Sequence, residues 1–466
     1  MKKRLPSFIC SGCLLTGAVF GQSPVTLTID ARSPGYEIPA NFSGLSIFTE
    51  TQRPGHRGTR GNLFSASNRQ LVALFKNSGI HHLRLGATVS SLSIDPNLDT
   101  ADIDSLFAFA RAADIRIIYS LHALDGASTA QYVWDHYRPW LDCFAFDNEP
   151  DNRGEGGSGT AAGHYAAYLA GWRDFTRTVT DAVPGAKFAG PDAAGRNLAP
   201  HFADDEEGSG VLTLDTQHIY VGGNPQKKGV ATATQAIDNM LSQNWDTDKY
   251  PGLYHDVFIP VMKDGFRIRL TESDDYTHGV TNASNAFASA LWALDYLHWW
   301  AAHGAAGINF QNTEWLTTDT FHPDSSGNYQ LYPKAYGIRA FDLGGHGRVE
   351  SVAIADKDTL NLTAYAVGDA TNLYVTIINK EHGGGARAAA VTLALNGFAS
   401  DGFEAMFLTA PNGDAGATSG ITLGGASITN DAPWHGQWTA LDPLAIGQCK
   451  VTIPATSAAI IKISSR

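Results

Sequence analysis

Cysteine is scarce in this 466-residue chain: there are four, and after Cys10 and Cys13 in the first apolar stretch only Cys143 and Cys449 remain. Those two fall in segments read below as separate domains. A disulfide-stapled scaffold is therefore excluded, and two unrelated buried thiols are expected. No cysteine–histidine spacing matches a structural zinc site, and His81-His82 reads as the start of a strand rather than a ligand pair. Lysine and arginine never gather, and the formal charge is −13. A nucleic-acid or anionic-membrane surface is excluded on that ground. An acidic sugar is not, because one local cation or a few amide donors can hold a single carboxylate. Charged residues are only 17% of the chain against 43% apolar, which is the balance of a folded protein rather than a disordered one. After the first twenty residues no apolar run is long and charge-free enough to span a bilayer, so stable membrane insertion is not expected.

What is present begins with a leader. Met1-Lys2-Lys3-Arg4 followed by the apolar stretch Leu5 to Phe20 has the form of a secretory signal ending near residue 21, so the protein is expected to be secreted or periplasmic. Cys10-Ser11-Gly12-Cys13 lacks the leucine of a lipid-attachment site.

From residue 42 to 343 short apolar runs alternate with helical patterns. The strands expected are Phe42–Phe48, Leu83–Leu85, Ile115–Leu121, Cys143–Phe146, Lys187–Gly190, Thr213–Tyr220, Phe266–Leu270 and Gly307–Phe310. Between them, sets such as Ile103, Leu106, Phe107 and Ala110 recur at spacings of three and four, the mark of an amphipathic helix. Ala290–Trp300 reads as a buried helix and Lys334–Leu343 as the last one. Eight such alternations predict a (β/α)8 barrel. A doubly wound sheet would want a glycine-rich nucleotide loop after its first strand, and Gly44-Leu45-Ser46 does not continue into one. From residue 344 to 466 short strand-like runs are punctuated by Gly, Asn, Asp and Pro, which predicts a C-terminal antiparallel β-sandwich. Val25–Ile29, within residues 22–41, alternates and is expected to join it.

Active sites of such barrels form where strands end at their C-terminal face. Glu149 follows the fourth predicted strand and Glu272 the seventh. Two carboxyl groups so placed can cleave a glycosidic bond with retention, one as acid and then base, the other as nucleophile. Asn148 can hydrogen-bond the hydroxyl beside the reacting carbon. His218 and Tyr220, alternate residues on the sixth strand, share a side and can hold either glutamate. Arg84 on the second strand can keep Glu272 ionised.

These residues carry a resemblance. Asn148-Glu149-Pro150 with Glu272 resembles the clan of retaining (β/α)8 glycosidases. Phe42-Ser43-Gly44-Leu45-Ser46, His82-Leu83-Arg84-Leu85-Gly86, Arg269-Leu270-Thr271-Glu272 and the terminal β-domain are similar to glycoside hydrolase family 79, the β-glucuronidase and heparanase family. The resemblance implies an exo-acting retaining β-glucuronidase that needs no cofactor or metal and acts as a monomer on glucuronic-acid-containing oligosaccharides or glycoconjugates. It implies Glu149 as acid/base, Glu272 as nucleophile, and Tyr276 and Gly279 beside the sugar carboxylate, with Tyr332 and Lys334 at the pocket mouth. Two departures touch the sugar-contacting rim: Gly86-Ala87-Thr88 stands for a commoner Gly-Gly-Asn, and Gln311-Asn312 stands where a histidine is frequent. The residues alone do not choose between a glucuronide and a neutral xyloside or glucoside. An endo-acting enzyme and a non-catalytic carbohydrate-binding protein are the remaining readings.

Overall fold

The computed structural model describes residues 23–55, 61–86, 98–152, 161–312, 315–357 and 359–465. The expected signal segment, the glycine-rich stretch after Asn152 and the Ala87-Thr88 departure lie outside the described residues. Eight parallel strands close into a barrel: Ser43–Phe48, His82–Gly86, Arg116–Leu121, Leu141–Phe146, Phe188–Ala193, Leu212–Tyr220, Arg267–Asp274 and Gly307–Gln311. They are numbered first to eighth here, and Ile308 opposite Ser43 closes the ring.

The helices form where apolar spacing and caps agree. In Arg69–Ser78 the Asn68 side chain accepts from Leu71 N, Leu71, Leu74 and Phe75 face inward, and Gly79 ends the helix at φ 66°. Asp99 caps Thr100–Ala113 in the same way. Phe287–Ala302 is mostly apolar on every side because it is buried on every side, between barrel strands and the β-domain, with Asp295 kept for the polar join between them. No described helix is long and apolar enough to cross a membrane.

Two helical regions escape the periodicity. Leu198–Glu206 follows the fifth strand. After the sixth strand the chain is helical over Ala233–Met240 and again from Trp245 to Lys263. Pro251 and Pro260 argue against a helix there. Each follows a π-turn, Trp245–Lys249 or Tyr254–Phe258, whose wider winding tolerates a residue that cannot donate.

The β-domain is a single hydrogen-bonded path of strands that curls into two layers. It departs from pure antiparallel pairing at one ladder. Ser23–Asp30 runs antiparallel to Gly347–Ala355 but parallel to Ala389–Asn396, with Leu27 opposite Leu393. A strand arriving from the far end of the chain needs no hairpin, so nothing fixes its direction to antiparallel. Ser400–Thr409, a strand not foreseen, pairs with Ser457–Ser465. The layer nearest the barrel is apolar on both faces. Val375, Ile377, Ile461 and Ile463 enter the core of the β-domain, while Tyr374, Ile378, Ala458 and Ile460 pack on the barrel side. The join is also polar. Lys380 pairs with Asp246 and lies 2.9 Å from Asp295, whose other oxygen accepts from Thr363 Oγ1 at 2.6 Å and Tyr365 OH at 2.8 Å. Cys143 and Cys449 are buried free thiols, one in each part of the chain.

Candidate active site

Glu149 does not continue the fourth strand; it sits three residues past Phe146 in a strained turn. Asp147 and Glu149 hold φ of 74° and 46°, and Asp192, on the neighbouring fifth strand, holds 54°. Left-handed backbone at a non-glycine residue costs on the order of 1–3 kcal/mol and persists only where the surroundings impose it. Here Glu149 N–H donates to Asp192 O at 3.0 Å, and Asn148 N–H donates to Asp147 Oδ1 at 2.8 Å.

Glu272 is aimed by a β-bulge. Between sixth and seventh strands Gln217 faces Leu270 and His218 faces Glu272, so Thr271 is one residue in excess. The extra residue turns consecutive side chains inward: Thr271 Oγ1 reaches Asp192 Oδ1 at 2.5 Å and Tyr220 OH reaches Glu272 Oε1 at 2.5 Å. The seventh strand thus runs on to Asp274 rather than stopping at Leu270. Arg84, fully buried, ties the set together: it donates to Glu272 Oε2 at 3.3 Å, Asp192 Oδ2 at 2.6 Å, Asn148 Oδ1 at 2.6 Å and Ser46 Oγ at 2.9 Å. Gly86 makes room for it, since a Cβ there would stand 2.6 Å from the Arg84 guanidinium carbon.

His218 lies between three carboxylates. Its Nδ1 is 2.9 Å from Glu149 Oε1 and 3.8 Å from Glu272 Oε2, and its Nε2 is 3.6 Å from Asp192 Oδ1. Burial alone would lower its pKa, but Glu272, Asp192 and Glu149 outweigh it and raise the imidazole to about 9. Burial alone would likewise raise Glu149, and the contacts with His218, Asn152 and Arg84 bring it below the ordinary value. Asp192 is held low in the same way, mainly by Arg84 and His218 against its burial. Tyr220 is pushed well up by burial and by the Glu272 charge, so it stays a neutral donor.

Oxygens of Glu149 and Glu272 and a nitrogen of His218 all lie within 4.8 Å of one another, the one such His/Cys/Asp/Glu group among the described residues. The 2.9 Å contact is a hydrogen-bond length, and the raised pKa of His218 keeps a proton where a metal would need a lone pair. As a carboxylate pair, the same spacing fits direct attack on a sugar carbon, for which the two groups stand about 5–5.5 Å apart.

Both glutamates open on a cavity of about 440 Å³, a small-ligand size. Phe48, Asn152, Ala194, His218, Tyr220, His278, Gln311, Leu316 and Thr318 also line it. Of the residues expected at the site, Glu149, Glu272, His218 and Tyr220 form its wall, and Asn148 and Arg84 lie directly behind as their supports. Tyr276, Gly279, Tyr332 and Lys334 are not part of that wall and are engaged elsewhere. Tyr276 is buried, accepts from Asn239 Nδ2 at 3.1 Å and meets the Trp245 ring edge-on. Gly279 donates to Tyr276 O at 3.0 Å, and at φ 72° a Cβ there would stand 2.8 Å from Thr318 N; the glycine serves loop packing. Tyr332 stacks on His322 at 3.9 Å. Lys334 is wholly buried against Asp274 and the Thr318 carbonyl. Asp192, Thr271 and His278 were missed, and Gln311, noted as a departure at the sugar-contacting rim, lines the cavity. Asp192 carried the signal that found Glu149, a carboxylate just past a barrel strand, but the fifth strand was ended too early at Gly190.

Residues 364–460 match the model described as the glycosyl hydrolase family 79 C-terminal beta domain. No curated protein sequence matches the chain. A 4-O-α-L-rhamnosyl-β-D-glucuronidase from Fusarium oxysporum 12S superposes with a TM-score of 0.69 at 16% identity, over 93% of this chain and 99% of that one. CelM2, a bifunctional glucanase-xylanase from a metagenome library, gives 0.65 at 14%, over 96% and 100%. A monomeric β-xylosidase from Caulobacter crescentus CB15 gives 0.59 at 13%, over 94% and 99%. At these identities the likeness is one of fold, a (β/α)8 barrel with an appended β-domain. Fold and paired carboxylates together make this chain a glycoside hydrolase with a retaining-type active site.

Proposed function

We propose that the protein hydrolyses β-glycosides of a neutral sugar, at a chain end or on a small aglycone, by double displacement. Glu272, held by Arg84 and Tyr220, attacks the anomeric carbon as the bond to the leaving oxygen breaks, and Glu149 delivers a proton to that oxygen. The ester on Glu272 is then cleaved by water, whose proton Glu149 takes back. The observation that carries this is the 4.8 Å limit on the Glu149–His218–Glu272 group.

Glu149 sits low for an acid, and its contact with His218 supplies the missing proton. The pair holds one proton between the ordinary carboxylate range and about 9, the value of His218. A raised pKa means the proton is present below that value and lost above it. The expected kcat/KM profile is therefore flat through neutrality and falls as pH rises through about 9. His218→Asn should move that alkaline limb to lower pH by more than one unit, because Glu149 then holds its proton alone. An unmoved limb would show that the pair shares no proton.

The sugar is argued from Lys334. Expected at the mouth, it is buried and already engaged by Asp274 and the Thr318 carbonyl. Arg84 is spent on Asp192 and Glu272. A uronate would bring a further negative charge into a cavity already holding two glutamates. The test compares 4-nitrophenyl β-D-xyloside and β-D-glucoside with the β-D-glucuronide. The neutral substrates are expected to have the higher kcat/KM by about tenfold or more, and a preference for the glucuronide sinks this choice of sugar. That second reading, a β-glucuronidase, is favoured by the family 79 match of the β-domain and by the fold likeness to the Fusarium enzyme. The family match lies within the β-domain, away from the residues that line the cavity.

A further inference from the structure

Three amide side chains stand within four residues at the end of the eighth strand, and two are fully paired. Asn309 accepts from Arg269 Nε at 2.6 Å and donates to Leu45 O at 2.7 Å. Asn312 accepts from Thr320 N at 2.7 Å and Phe321 N at 3.1 Å and donates to Phe321 O at 3.2 Å. Gln311, between them, is 4% exposed, and neither its Nε2 nor its Oε1 has a hydrogen-bond partner among the described residues. Strand alternation gives it the inward direction of Asn309, one layer nearer the mouth, and it lines the cavity with Glu149 and Glu272.

A buried amide with both ends unmade carries the full desolvation penalty of each group, and an apolar residue of the same shape would avoid that. A group kept in this state at the wall of a substrate cavity is explained by a ligand that completes it. The amide needs a donor for Oε1 and an acceptor for Nε2. Hydroxyls supply both. A carboxylate supplies acceptors alone and would set negative oxygens against Oε1. Position narrows the choice further. In the closed ring the eighth strand lies opposite the fourth, which carries Glu149, and beside the seventh, which carries Glu272. The leaving group departs on the Glu149 side, so Gln311 faces the sugar that is retained on Glu272.

We propose that Gln311 is a specificity-determining residue that holds two adjacent hydroxyls of the glycone, one donating to Oε1 and one accepting from Nε2. The inference rests on the neutral-sugar reading, and the experiment separates the two.

kcat/KM is measured for the wild type and Gln311→Met on whichever of the 4-nitrophenyl β-D-xyloside and β-D-glucoside is cleaved, and on its monodeoxy analogues at each ring hydroxyl. The wild type should lose about tenfold or more at each of two neighbouring positions. Gln311→Met should fall by about 100-fold on the parent glycoside, the two losses combined, and lose little further on those two analogues. Its melting temperature should equal or exceed that of the wild type, because an unpaired buried amide has been removed. The deoxy ratios are read within each protein and so hold whatever the stability of the variant. Undiminished deoxy discrimination in Gln311→Met overturns the role of Gln311 and leaves the neutral-sugar reading standing. Cleavage of the glucuronide alone overturns that reading, and does so in the wild type before any variant is made.

Discussion

Glu272→Gln is expected to lower kcat on any cleaved aryl β-glycoside by about 10⁴-fold or more, with ligand binding largely kept. The substitution is isosteric, and the new Oε1 can still accept from Tyr220, which lies 2.5 Å from the native oxygen. What it removes is the negative charge and the lone pair that would bond to the anomeric carbon. Arg84 keeps Asp192, Asn148 and Ser46 as partners, so its own burial remains compensated. A wild type treated with an activated 2-deoxy-2-fluoro glycoside should gain the mass of one glycosyl unit, with the label on Glu272, because the fluorine slows release of the ester. The Gln variant should gain nothing. Turnover of Glu272→Gln within tenfold of the wild type, or a label carried by another residue, would remove Glu272 from the nucleophile position.

Much of the barrel was legible because each strand is a short apolar run flanked by turn residues, and each helix between them shows a single face. The Phe287–Ala302 helix was readable for the opposite reason, since an apolar surface on every side signals burial on every side. Legibility failed where local chemistry and tertiary context disagree. Pro251 and Pro260 look like breaks, and only the π-turns before them let the helix carry on. The strand Ser400–Thr409 carries Asp401 and Gly402 near its start, which read as a turn, and it becomes a strand through its long ladder with Ser457–Ser465. That ladder joins segments about sixty positions apart, beyond the reach of any window on the sequence.

The site divides along the same line. Residues that belong to strand ends were found from placement: Glu149, Glu272, His218, Tyr220 and Arg84. The residues expected to touch a sugar carboxylate sit on loops, where sequence spacing says little about direction. Lys334, expected at the pocket mouth, was misjudged for another reason. A lysine that opens a helix near the mouth reads as a rim cation, and only the fold shows that Asp274 lies beneath it. Gln311 is the reverse case. Its amide looked like a departure from a family pattern, and its meaning depends on which neighbours do not reach it.

Glu149→Ala is expected to divide substrates by their leaving groups. A 2,4-dinitrophenyl glycoside needs no proton to depart, so the first step should stay close to the wild-type rate and a burst of phenolate should precede slow release of the ester. An alkyl or sugar leaving group does need the proton, and kcat/KM should fall by about 10²–10⁴-fold. His218 does not replace the lost acid, because its Nδ1 then faces Glu272 at 3.8 Å and its Nε2 faces Asp192 at 3.6 Å. The space once filled by the Glu149 carboxyl opens on the cavity, on the face of the ester where water must attack. Azide, which needs no base, should enter there, restore turnover of the dinitrophenyl substrate and leave as a glycosyl azide. Its configuration decides the mechanism: two displacements give the β-azide, whereas a single displacement across a wider carboxylate pair gives the α-azide. A retaining-type pair of Glu149 and Glu272 predicts the β product. An α-azide, or equal losses on dinitrophenyl and alkyl glycosides, would mean that Glu149 does not protonate the leaving oxygen of a retaining enzyme.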